Sequence, residues 1–158
     1  MKNKVIVTVL VMFTMVMAAY SKNIAQNPPV MKINLEKNFY YLEVNDHISV
    51  VLTNETGGEI VIDGDRVLAR KVRAVVKKNR LYIWLAGNSR GETVTVYVPA
   101  LLLKQVVING DSRINTATTL NNSALDIVVN GACRLNLRSR GKIAISGTNE
   151  FEFTEENK

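Results

Sequence analysis

The chain has 158 residues, a formal charge of +6 and 47% apolar residues, with a single Cys and a single His. That length suits one domain of mildly basic character. The inventory leaves metal clusters, a disulfide framework or a cysteine–histidine catalytic pair almost nothing to be built from, and so argues against most enzymes.

The chain opens with Lys2 and Lys4, followed by an apolar run from Val5 to Ala19 interrupted only by Thr8 and Thr14. The run is shorter than the roughly 20 residues that span a bilayer, and small residues follow at Ala18, Ala19 and Ser21. Residues 1–21 therefore read as a Sec-type export signal. No Cys lies at the end of the run, so a lipid anchor is not expected there, and the protein is expected in the periplasm, on the outer-membrane surface or outside the cell. Residues 22–30, with Asn27-Pro28-Pro29, read as an extended leader.

The domain is expected over residues 31–153. Period-two alternation marks strands at Phe39–Val44, His47–Leu52, Glu59–Asp63 and Leu81–Leu85, separated by turn signals at Asn45-Asp46, Asn54 to Gly58, Asp63-Gly64, Lys77-Lys78-Asn79 and Gly87 to Gly91. Between Arg66 and Val76 helical spacing competes, but Val72, Ala74 and Val76 alternate with their neighbours, which predicts a short loop and then a strand.

The second half repeats. Val107-Ile108-Asn109-Gly110 aligns with Val128-Val129-Asn130-Gly131 and with Ala144-Ile145-Ser146-Gly147, each followed by a charged residue and another strand. No unit can bury its apolar face alone, so stacking is the expected solution. The pleat predicts inward columns Val106/Ile127/Ile143, Ile108/Val129/Ile145, Ile114/Leu135/Phe151 and Thr116/Leu137/Phe153. Asn109, Asn130 and Ser146 are expected to form a hydrogen-bonded corner ladder, with Gly110, Gly131 and Gly147 taking the turn. Arg113, Arg134 and Glu150 are expected to form an outward ladder.

Phe39-x-x-Leu42-x-Val44-x-x-x-Ile48-x-Val50-x-Leu52, Val72 to Leu85 with its Lys78-Asn79 turn, and Val96-Tyr97-Val98-Pro99-Ala100-Leu101 leading into Val106 to Ile114 together resemble the autotransporter-adhesin head GIN domain family of secreted bacterial proteins. The resemblance covers Phe39 to Phe153. It implies an all-β, right-handed parallel β-helix-like solenoid, similar in outline to pectin-lyase solenoids but without their catalytic constellation, and a role in adhesion. The chain departs from the family in lacking a literal Gly-Ile-Asn triplet, in ending soon after the third repeat and in carrying no translocator barrel, so an autotransporter is not expected.

Few residues suggest chemistry. Asp46-His47-x-Ser49 holds the residue types of a hydrolase triad, but neighbours on a strand cannot build that geometry locally, and His47 reads as solvent-facing. Cys133 shares the inward parity of Leu135 and reads as a buried, inert thiol. Asp63-Gly64-Asp65 lacks the downstream Glu of a calcium loop and reads as a turn, and residues 154–158 read as an acidic tail. The densest charge cluster is Arg66, Arg70, Lys71, Arg73, Lys77, Lys78 and Arg80. It suits acidic glycans or an anionic membrane surface, and equally a soluble face that protects an edge strand. Tyr82 and Trp84 share the face opposite Leu81, Ile83 and Leu85 and offer stacking surfaces for sugars; Tyr40, Tyr41 and Tyr97 are further candidates.

The sequence thus predicts a non-catalytic secreted or cell-envelope binding protein with no cofactor. Its expected ligand surface is Arg70, Lys71, Arg73, Lys77, Tyr82 and Trp84. The expected partners are glycans or other cell-surface components, with envelope association, rather than nucleic acid. The alternatives are a periplasmic structural or lipid-binding envelope protein and a pectin-lyase-like carbohydrate-active enzyme. The latter would need clustered carboxylates, whereas the first two repeats hold only Asp111 and Asp126 beside Arg113, Arg134, Asn115 and Asn136.

Overall fold

The computed structural model describes residues 31–45, 47–87, 93–147 and 152–155, the last four by their backbone. The expected export signal and leader, the turn residues Asn88 to Gly91, and Glu150 and Phe151 lie outside the described residues. The order of elements is β1 (Met31–Asn34), β2 (Tyr41–Asn45), β3 (Ile48–Thr53), β4 (Glu59–Asp63), α1 (Arg66–Ala69), β5 (Val72–Lys77), β6 (Arg80–Leu85), β7 (Val94–Pro99), β8 (Gln105–Asn109), β9 (Ser112–Thr116), β10 (Ala124–Val129), β11 (Cys133–Leu137), β12 (Lys142–Gly147) and β13 (Glu152–Glu155).

The predicted strands are present, with ends shifted by a residue or two; Glu59–Asp63 is matched at both ends. The segment predicted as a loop before β5 is instead a single helical turn. Asp65 caps it, its carboxylate accepting from the backbone N–H groups of Val67 (2.8 Å) and Leu68 (3.1 Å). Asp63-Gly64-Asp65 is therefore a strand end, a glycine at φ 143° and a helix cap.

The strands form two sheets, of order β1-β4-β7-β3-β9-β11-β13 and β12-β10-β8-β2-β6-β5, neither closed into a barrel. Both are mixed: β1–β4, β4–β7 and β5–β6 pair antiparallel and every other pairing is parallel. From β8 onward the chain alternates between the sheets, and β2/β3 and β6/β7 are divided in the same way. Each sheet therefore shows the same succession of strand pairs. The core lies between them. Leu42, Val44, Leu81, Ile83, Val106, Ile108, Ile127 and Val129 of one sheet and Val50, Leu52, Val96, Val98, Ile114, Leu135 and Leu137 of the other have no exposed surface.

The repeat holds for its first two units and slips in the third. Val106 pairs with Ile127 and Ile108 with Val129, as the pleat predicts, but Ile127 faces Ile145 rather than Ile143, and Val129 faces Gly147. Likewise Leu135 faces Phe153, Leu137 faces Glu155, and Arg134 faces Glu152 rather than Glu150. Ser146 lies opposite Val128, so Ser146 and Gly147 belong to β12 and not to the corner ladder.

The cause is the connection before β12. Leu120 bridges to Ser139, and the backbone N–H groups of Leu120, Arg140 and Lys142 donate to Arg138, Leu120 and Ser123 at 2.8, 2.9 and 3.1 Å. Gly141 packs so closely that an added Cβ would lie 1.9 Å from the Asn122 carbonyl oxygen. This fixes the start of β12 two residues away from the motif alignment. A two-residue slip preserves the pleat, so inward positions stay inward.

Candidate functional site

Two outer surfaces gather residues that the sequence singles out. The first is the basic and aromatic cluster. Lys78 and Asn79 take φ values of 48° and 61°, the pair of positive angles that a two-residue hairpin turn requires, and this turn folds β5 onto β6. Arg73 then lies opposite Trp84, Val75 opposite Tyr82 and Lys77 opposite Arg80. Leu81, Ile83 and Leu85 are buried while Tyr82 and Trp84 are half-buried on the outer face. Arg73, Lys77, Tyr82 and Trp84 thus share one surface. Arg70 caps α1 and Lys71 precedes β5, so these two stand at its margin.

β5 ends the six-stranded sheet, so the basic cluster also lies along an edge strand. Some of its cations are engaged. The Arg73 guanidinium donates to the carbonyl oxygens of Arg70 (2.7 Å) and Val72 (3.1 Å). Arg80 lies 3.3 Å from a Glu43 carboxylate oxygen and stacks 5.3 Å from the centre of the Tyr41 ring. Asn109 donates to the other Glu43 oxygen at 3.2 Å and to the Asn45 side chain at 3.0 Å, and Asn130 donates to Asn109 at 2.9 Å. The corner ladder is therefore Asn45, Asn109 and Asn130. The same pattern of apolar residue, Asn and turn in Val44-Asn45-Asp46 was the signal that would have placed β2/β3 in the stack.

The second surface is a groove of about 550 Å³ on the outer face of the seven-stranded sheet. Parallel register lines up Thr95, Ser49, Arg113 and Arg134 on β7, β3, β9 and β11. His47 and Asp111 precede β3 and β9 at the adjoining corner, and His47 Nε2 lies 3.4 Å from Asp111 Oδ2. These six residues all line the groove. Sequence reading set His47 beside Asp46 and Ser49; the fold instead brings it Asp111. Their side chains are 53% and 62% exposed, so the pair is solvated, unlike a histidine–carboxylate pair held in a water-excluded active site.

Cys133 also lines the groove, but its side chain is turned into the core and burial pushes the thiol up to about 11. Among the described residues no three His, Cys, Asp or Glu side chains come together to hold a metal ion.

Comparison with known proteins places this architecture. A family described as "Putative auto-transporter adhesin, head GIN domain" matches residues 38–154. A crystal structure of a "putative adhesin" from Parabacteroides merdae superposes with a TM-score of 0.59 at 18% identity, covering 78% of this chain and 53% of that one. The chain thus spans about half the length of that protein. A "putative adhesin" from Parabacteroides distasonis gives a TM-score of 0.48 at 16% identity, covering 78% and 64% of the two chains. A "Putative lipid binding protein" from the same species gives 0.46 at 14% identity, covering 78% and 61%. No curated protein matches.

Proposed function

The chain belongs to the auto-transporter adhesin head GIN domain family, and from that premise we propose that it is a non-catalytic, adhesin-like protein of the cell envelope that works by presenting a surface. In this reading residues 31–153 form one right-handed parallel β-helix-like solenoid, delivered across the membrane by an export signal at residues 1–21. The observation that carries the reading is the common succession of strand pairs in the two sheets. It aligns outward side chains of successive strands into rows, a geometry suited to extended ligands. The solvated state of the His47–Asp111 pair supports a binding role over a catalytic one.

The test is protease accessibility on intact and on lysed cells, together with the N-terminal sequence of the mature protein. Digestion on intact cells and a start near Lys22 are expected. Protection until lysis would overturn surface display in favour of a periplasmic structural or lipid-binding role. Polysaccharide cleavage that disappears in Asp111→Asn or Asp126→Asn would overturn the non-catalytic reading.

A further inference from the structure

We infer that the open edge of β5 accepts an extended segment of another protein, with acidic and apolar residues in alternation, as an added strand of the six-stranded sheet. Such pairing goes beyond surface display and would hold in the periplasm as well. Register decides which backbone groups take part. In a two-residue hairpin the residues flanking the turn exchange hydrogen bonds, and bonded and non-bonded pairs then alternate along the ladder. The turn at Lys78-Asn79 therefore bonds Lys77, Val75 and Arg73 to Arg80, Tyr82 and Trp84, and the Ala86 N–H continues the same phase by donating to the Lys71 carbonyl at 2.8 Å. Val72, Ala74 and Val76 turn their N–H and C=O groups away from β6, to a side where no strand pairs with them among the described residues. The start of this edge is closed, since Val72 is 2% exposed and its carbonyl accepts from Arg73 Nη1. Ala74 and Val76 are half-buried, so the edge is open from Ala74 onward.

Side chains select the partner. Arg73, Val75 and Lys77 stand outward and exposed along the edge, Val75 at 37%. A second copy paired antiparallel about Val75 would set Arg73 against Lys77 twice, and like charges opposite one another are destabilising. The cations that exclude the chain's own β5 favour carboxylates at those two positions. Arg73 uses only Nη1 in its contacts with the carbonyls of Arg70 and Val72, so its fork keeps donors for a carboxylate. Among the described residues Lys77 forms no ion pair. On the inner face the added strand meets Ala74 and Val76, which pack against the core yet are only half-buried, so apolar residues fit there. The pleat places these two requirements at alternating positions of the partner.

Titration of the purified full chain with the blocked peptide Glu-Val-Glu-Val-Glu, followed by residue-resolved hydrogen exchange, tests the edge. The peptide is expected to bind and to slow exchange at the Ala74 and Val76 amides, leaving that of Val75, already bonded to β6, unchanged. Two further forms of the peptide, N-methylated at the valines or at the glutamates, keep every charge; the one whose methyl groups face β5 should lose binding at least about tenfold and the other should retain it. Lys77→Gln should weaken binding about threefold, while Lys142→Gln, an equal loss of charge on the far edge strand β12, should leave it unchanged. Ala74→Pro removes an outward donor without touching the bonds to β6 and should abolish binding; if that variant fails to fold, the methylated peptides decide. Equal binding of both methylated forms, unchanged exchange at Ala74 and Val76, or equal binding of Lys-Val-Lys-Val-Lys would overturn the proposal, as would no binding at all. Lys77-dependent binding of polygalacturonate without binding of the peptide would overturn it in favour of an acidic glycan. Protease accessibility on cells decides the surface reading separately.

Discussion

Cys133 sits where the two sides of the seven-stranded sheet meet: its neighbours in sequence, Ala132 and Arg134, face the groove, while its own side chain is 6% exposed and joins the core. Desolvation raises its thiol from the ordinary 9.0 to about 11. The unfolded chain therefore releases this proton from about pH 9 upward while the folded chain holds it to about pH 11. The folded state binds more protons in that window, so stability falls as pH rises through it. Denaturant unfolding at pH 8 and pH 10 should show a smaller loss for Cys133→Ala than for the parent, and the native thiol should react with a disulfide reagent only once the chain is unfolded. Equal pH slopes would show that Cys133 keeps an ordinary thiol in the folded protein. The inward parity that predicted this burial was legible in the sequence. Asn122 was not: it looks like any turn residue, yet its buried amide donates to the carbonyls of Ala100 (2.6 Å) and Leu103 (2.9 Å) and so holds the connection from β7 to β8.

At the level of elements, strands whose apolar face is buried on one side were readable because alternation reports which face that is. β4 illustrates this, with Ile60 and Ile62 buried between half-exposed neighbours. What alternation cannot report is register, since a shift of two residues leaves every side chain on its face. The Ser146-Gly147 pair resembles the Asn-Gly corners, but the turn before β12 sets the register instead, through Gly141 against the carbonyl oxygens of Asn122 and Ser123. Gly141→Ala must open that turn and should destabilise the protein by about 1–3 kcal/mol in urea unfolding, with the loss concentrated in hydrogen exchange of β12 and its partner β10. A neutral substitution would mean that the turn does not fix the register. The one-turn helix α1 escaped for a similar reason, because its cap is a single side chain, Asp65, in a segment too short for periodicity to show.

For the whole molecule, the order of strand pairs in space departs from their order in the chain: β2/β3 lies between β6/β7 and β8/β9. Repeats that follow one another in sequence suggest neighbours that follow one another in space, and here the chain passes over its first strand pair to continue the stack beyond it. The interior is consequently continuous across that crossing. Ile83, Val44, Ile108 and Val129 form one fully buried row through β6, β2, β8 and β10, joining the first half of the chain to the second. Val129→Asp places an unpaired carboxylate at the end of this row, among side chains that offer it no hydrogen bond, and should abolish cooperative thermal unfolding. Ile145→Asp, at a half-buried position on the edge strand β12, should lower the melting temperature while leaving the transition cooperative, because only one neighbouring strand depends on it. The contrast between the two variants is what identifies a stack with a common interior. If Val129→Asp melted like the parent protein, the row would not be the core, and the outward rows that define the groove would lose the register on which they stand.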